Sequence, residues 1–286
     1  LLGVPTCSVS AILMGMLCGF PIGAKASMDM YRAGLLTDKE TEHLIAISNN
    51  TGPAFVIEVA GRKYFGSSYI GVIFYAIQLV AAFIVAFIYG RIDKNNMNYK
   101  KSHAGISSND SVKPASGSFA SAVADAARSS VVVSGFIVFF SVISEYVFML
   151  GNAIGLSGVK ISAFNALIEF SGAVKDASGY AGTAGLCIAA FAINFGGLSV
   201  LAQSAALTDG APVSMKKCFV CKLIQGITSA VLTFIISQFG LFEHCNASAN
   251  ALPVWKTGTI TLLPLFFMFL CVLFNTLKCK KDVFRK

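Results

Sequence analysis

The chain has 286 residues, of which 55% are hydrophobic and only 13% charged, with a mean hydropathy of +0.71. That is about half the charge of an average soluble domain, which excludes a water-soluble globule and makes the lipid bilayer the first expected partner. The formal net charge of +8 is not read as a nucleic-acid signal, because the basic residues gather in the connections between apolar segments, as they do in membrane proteins.

The chain opens at Leu1 rather than methionine and runs directly into "LLGVPTCSVSAILMGMLCGFPIGAK". Upstream sequence is therefore expected to be missing, and no signal peptide can be judged. A Gly/Pro turn at Gly19–Lys25 leaves this apolar piece too short to cross a membrane twice as helix, which predicts a re-entrant hairpin. Gly15 and Gly19 form a G-x-x-x-G, whose ordinary meaning is close helix packing. The next apolar segment is interrupted by "SNNTGPAFV", Ser48–Val56. A break in a helix surrounded by lipid leaves backbone groups unsatisfied at several kcal/mol each, unless they line a cavity or meet a ligand.

Four segments approach the roughly 20 apolar residues that a span requires. Ser67–Gly90 and Thr257–Leu277 carry no charge, Ser129–Leu150 carries Glu145 alone, and Phe219–Phe239 carries Lys222 near its start. Between the first and the next lies "RIDKNNMNYKKSHAGISSNDSVKPASGS", residues 91–118, a polar serine-rich linker. The weakly amphipathic "FASAVADAARSS" that follows is expected to lie at the membrane surface before the chain enters. Fifteen of the 22 basic residues fall in the Lys25–Glu42 connection, the linker, Lys216–Lys217 and the C-terminal tail, and five fall in the remaining connections. By the positive-inside rule the first set is cytoplasmic, so Lys25 and Lys175 are expected on opposite sides.

The two halves echo each other. "GFPIGAK" and then "NNTGPAF" in the first are matched by "EFSGAVK" and then "NFGGLSV" in the second, with Asn-x-x-Gly in both breaks. Inverted repeats with matching broken segments point to a secondary transporter binding its substrate near the midplane. The organisation read from this is a first repeat over 1–90, the linker 91–118, a second repeat over 119–240, and a last helix with a basic tail over 241–286. The fold class is all-α and polytopic, with re-entrant hairpins and broken transmembrane helices. Candidate substrate-binding residues are Ser48, Asn49, Asn50, Thr51, Gly52 and Pro53 from the first break, Glu169, Ser171 and Gly172 from the second hairpin, and Asn194, Gly196, Gly197, Ser199 and Gln203 from the second break. The alternative for a lone break is a kink satisfied by neighbouring helices.

Glu169 is favoured over Glu58 and Glu145, which lie near outer ends and reach water. His43, His103 and His244 are expected at solvated segment ends, with no metal site. The eight cysteines suit packing in apolar segments, and Cys218-x-x-Cys221 has no second pair to make it a zinc motif. N-x-S/T matches at Asn49, Asn109 and Asn246 have chance frequency. No metal, cofactor or catalytic motif is present: H-E-x-x-H, G-x-S-x-G and Walker A sequences are all absent, and an enzyme is not expected.

"GFPIGAK", "LTDKETEHLIAISNNTGPAF", "IEFSGA" and "NFGGLSVLAQ" resemble, in matching order up to about Phe239, the YlbJ (stage V sporulation protein V) family of sporulation integral membrane proteins, within the nucleoside-recognition or Gate-domain group. The resemblance implies a carrier related to concentrative nucleoside transporters, in the membrane around the forespore of a spore-forming bacterium, moving dipicolinic acid out of the mother cell. It carries over no catalytic or binding residue. A small organic anion such as dipicolinate is the expected ligand; a nucleoside carrier of the same fold and a non-transporting scaffold for cortex or coat assembly stay open beside it.

Overall fold

The computed structural model describes residues 4–94, 119–180, 182–208, 211 and 213–242, and every regular element among them is helical. After a 3-10 turn at Thr6–Ser8 come α1 (Val9–Cys18), α2 (Ile22–Arg32), α3 (Asp38–Ser48), a π-helix (Ala54–Tyr64) and α4 (Ser68–Lys94). The second part holds α5 (Phe119–Ala153), α6 (Gly158–Ile168), α7 (Phe170–Ser178), α8 (Thr183–Phe195), α9 (Gly197–Leu207) and α10 (Met215–Gln238).

Among the described residues four helical stretches are long and apolar enough to cross a membrane: Ser68–Arg91, Ala126–Ala153, Thr183–Leu207 and Met215–Gln238. The chain is an all-helical, polytopic integral membrane protein. Three of the spans coincide with the segments read from hydropathy. The third of the four is α8 and α9 run together across their break. The predicted span Thr257–Leu277, with the basic tail, lies outside the described residues, as does the linker beyond Lys94. α4 itself continues to Lys94, four residues into the segment read as linker.

Large apolar side chains such as Phe83, Val138, Phe139, Val231 and Phe234 face outward. In water they would make a patch far larger than a monomer tolerates; in lipid they are the outer surface. α5 carries this furthest, since among the described residues it rests mainly against α6 and α9 along limited stretches and most of its side chains are exposed. Its first third is the stretch expected to lie separately on the membrane surface. Instead it is continuous with the span, because nothing in "FASAVADAARSSVVV" breaks a helix and alanine favours one.

Each hairpin has a physical stop. α1 ends at Gly19, whose φ of 81° is open to glycine. α3 starts at a capping box, in which Thr37 Oγ1 accepts from the Glu40 N–H and Glu40 Oε2 accepts from the Thr37 N–H. α6 and α7 are separated by Glu169 in an extended conformation (φ −141°, ψ 121°). The G-x-x-x-G reading holds for Gly15, since a Cβ there would run into the Ser48 carbonyl; Gly19 serves the turn. His43, expected in solvent, is fully buried on α3 and stacked on Tyr89, with ring centroids 5.4 Å apart. The segment end it occupies is covered by α4.

Candidate functional site

The four chain breaks converge in two pairs. The turn of hairpin one touches the first helix break: a Cβ on Gly19 would lie 2.6 Å from the Gly52 nitrogen. The turn of hairpin two touches the second: a Cβ on Gly197 would lie 2.7 Å from the Ile168 carbonyl oxygen. The two helix breaks also meet each other. Thr51 Oγ1 donates to the Ile193 carbonyl, and Asn49 Nδ2 donates to Ser204 Oγ at 2.7 Å.

Between them lies a buried amide network centred on α10. Lys222 Nζ donates to Asn50 Oδ1 at 3.0 Å and to Gln225 Oε1 at 2.9 Å. Gln225 Nε2 donates to Asn50 Oδ1 at 2.9 Å and to Asn194 Oδ1 at 3.1 Å. Asn50, Asn194, Lys222 and Gln225 are each at most 4% exposed. Backbone carbonyls decide which way the two asparagines face: Asn50 Nδ2 donates to the Ile47 carbonyl and Asn194 Nδ2 to the Ala190 carbonyl. Each therefore turns its oxygen toward α10. One glutamine thus ties the two breaks together, and one lysine is held beside the first.

The amide oxygens Asn49 Oδ1, Gln78 Oε1 and Gln203 Oε1, like Asn165 Oδ1 on α6, are buried without a hydrogen-bond partner among the described residues. The Ser204 hydroxyl donates to the Val200 carbonyl, so it receives the Asn49 amide and leaves the Asn49 oxygen turned away. Gln78 Nε2 donates to the Thr51 carbonyl at 2.7 Å, and Gln203 Nε2 to Ser199 Oγ at 3.2 Å. Buried amides are ordinarily satisfied, and acceptors left open beside helix breaks suit a polar ligand or water. Neither the π-helix at Pro53–Ala54 nor α9 at Gly196–Gly197 has a side-chain N-cap, so the positive ends of both face the breaks unshielded.

Of the residues expected to form the site, Asn49, Asn50, Thr51, Asn194 and Gln203 lie at or beside this meeting point, and Gly52, Pro53, Gly196, Gly197 and Ser199 shape it. Ser48 turns away: its hydroxyl lies 3.2 Å from that of Ser27 on α2. Glu169, Ser171 and Gly172 form a closed unit. The Glu169 carboxylate accepts from the Ser171 N–H at 3.0 Å, the Gly172 N–H at 2.7 Å and the Ser171 hydroxyl at 2.9 Å. It caps α7 and compensates the positive end of that helix.

Lys222, Gln225, Gln78 and Ser204 were not among the expected residues. Lys222 looks in the sequence like a charge at a helix entrance whose ammonium snorkels to the surface. In the structure it points inward and is 2% exposed. The available signal was the default that an ionisable residue inside an apolar span is functional, reinforced by Gln225 one helical turn on.

No family model matches the chain, and no solved structure matches it. The matched region spans just under two thirds of the length of the curated relative it aligns with. That relative is the sporulation integral membrane protein YlbJ of Bacillus subtilis (strain 168), of which this chain is a distant homologue, 22% identical over 263 residues that cover 82% of this chain and 64% of the relative.

Proposed function

We propose that the protein is a secondary carrier, not an enzyme, that moves a small organic anion through the point where its two broken helices meet, with dipicolinate in a sporulating cell as the candidate substrate. The single observation that carries this reading is the contact between the breaks. Asn50 and Asn194, the one from the first half and the other from the second, accept from the same Gln225 amide. Irregular backbone at membrane depth is tolerated where it serves a polar site, and a site shared by two repeats is how alternating access is organised.

The arrangement of charges supports the inverted relation of the halves. Lys25 donates to Ser129 near the start of α5, whereas Asp176, next to Lys175, feels the charge of Glu145. Glu145 lies sixteen residues further along the same helix, about 24 Å at 1.5 Å per residue. The Lys25 end also gathers Arg32, which donates to the Leu207 carbonyl, and the Glu42–Lys217 ion pair at 3.2 Å. Hairpins one and two then enter from opposite faces as re-entrant elements, with the Lys25 face cytoplasmic.

The relative's name places it in a sporulation membrane, and the family resemblance supplies dipicolinate. The open amide oxygens of Asn49, Gln78 and Gln203 favour a second reading, a nucleoside carrier, because a base edge brings the N–H donors they lack. Tracer uptake into vesicles containing the purified protein separates the two. Dipicolinate uptake unaffected by excess uridine is the expected result; uridine uptake with no dipicolinate uptake would establish the second reading, and neither would leave a scaffold.

A further inference from the structure

We infer that Lys222 is the residue that selects the charge of the ligand: its ammonium is the docking point for a carboxylate, and the site engages its ligand through one negative charge. This rests on the carrier reading above and names the ligand chemistry of the same site.

Lys222 is 2% exposed. Its two acceptors are neutral amide oxygens, and among the described residues no carboxylate lies within ion-pair distance of it. An ammonium has three N–H donors, so these two acceptors leave one for a ligand. A buried charge is costly unless it is paired, and here the pairing group is not supplied by the described chain. Glu169 is the acidic side chain at the turn of hairpin two, but its oxygens are engaged by the Ser171 and Gly172 N–H groups of α7.

Two other cations of the described residues are engaged elsewhere. Lys217 is paired with Glu42, and Lys25 reaches Ser129. Lys222 is thus the one full positive charge within the amide network among the described residues. The network also holds it in place. Asn50 receives it from the first break and Gln225 from one turn further along its own helix, α10, and the Asn50 amide is itself fixed by the Ile47 carbonyl. A single fixed ammonium beside uncapped helix starts recognises one carboxylate by charge, while the second carboxylate of a dianion meets only amides and dipoles.

Three pyridine probes that differ in charge test this on the purified full chain in detergent: dipicolinate with two carboxylates, picolinate with one, and pyridine-2,6-dicarboxamide with none. Wild-type protein should bind both acids, picolinate within about tenfold of dipicolinate, and the diamide roughly a hundredfold more weakly, the range of a hydrogen bond to a charged group. Lys222→Gln should remove about a hundredfold of acid affinity and leave the diamide where it was.

Gln225→Glu is the second variant, chosen because it preserves shape. It places a carboxylate oxygen where the amide oxygen now lies, 2.9 Å from Nζ, and should expel the acids by a similar factor while the protein stays monodisperse. Wild-type acid affinity in either variant overturns the role of Lys222 and leaves the carrier reading standing. Diamide binding without acid binding in the wild type overturns the anion reading and with it this inference. Failure of all three probes to bind overturns both.

Discussion

The two helix breaks, one in each half of the chain, interrupt helix with different backbones. The first passes through Asn49 in an inverse γ-turn (φ −83°, ψ 82°), closed by the Asn50 N–H donating to the Ser48 carbonyl at 3.1 Å, and continues to Pro53 before the π-helix begins. Any residue adopts such backbone, so these positions are free to carry side chains, and Asn49, Asn50 and Thr51 all reach the other half. The second break is a pair of left-handed residues, Gly196 at φ 80° and Gly197 at φ 75°. Only glycine occupies that region at little cost, so the break itself has no side chain to offer. It contributes close approach to Ile168 instead, and its polar group comes from Asn194 just before it. In the proposed carrier the first half would supply most of the recognition chemistry, while the second supplies the tight junction.

The sharpest way to break this comparison is to show that the halves are not inverted. With native cysteines replaced, Lys25→Cys and Lys175→Cys should react with an impermeant thiol reagent from opposite faces of sealed vesicles, an all-or-none difference. Labelling of both from one face would remove the equivalence of the breaks.

The junction itself predicts an asymmetry between glycines. Gly197→Ala adds left-handed strain to a Cβ 2.7 Å from the Ile168 oxygen and should cost about 2–5 kcal/mol, seen as a collapse of the thermal unfolding midpoint. Gly52→Ala, where the nearest atom is the Cys18 oxygen at 3.2 Å, should cost about 1 kcal/mol or less, because its φ is not left-handed. Equal losses would mean that the two breaks are packed alike.

Recognition should be asymmetric in the other direction. Asn50→Ala removes an acceptor shared by Lys222 and Gln225 and should weaken dipicolinate about ten- to hundredfold. Asn194→Ala removes an acceptor used by Gln225 alone and should weaken it about tenfold or less, both measured by equilibrium binding. A larger loss at Asn194 would move the chemistry to the second half.

The smallest effect is expected at Glu169. Glu169→Gln keeps one of the capping oxygens and should lower stability by about 1 kcal/mol, with uptake retained. Uptake abolished at unchanged unfolding temperature would show the carboxylate acting on the ligand rather than on α7.

The site was half legible in the sequence, and the division has a cause. Asn49, Asn50, Thr51 and Asn194 stand out because polar residues next to Gly or Pro inside an apolar run have no local explanation. Lys222, Gln225, Gln78 and Ser204 do not stand out, because each is a polar side chain in an unbroken helix. The rotation of that helix against its neighbours decides whether such a side chain faces amides or lipid. Ser48 and Glu169 show the converse. Both lie at breaks, yet one pairs with Ser27 and the other closes on its own helix.

By itself the sequence determined the solvent, the spans Ser68–Arg91, Ala126–Ala153 and Met215–Gln238, and the two places where helix stops, since these depend on hydropathy summed along the chain and on the local chemistry of Gly and Pro. Only the tertiary structure decided that the breaks touch through Thr51 and Ile193 and that α10 turns Lys222 inward onto Asn50. Those outcomes depend on which faces meet across 140 residues or more of sequence, and that is not written in a local pattern.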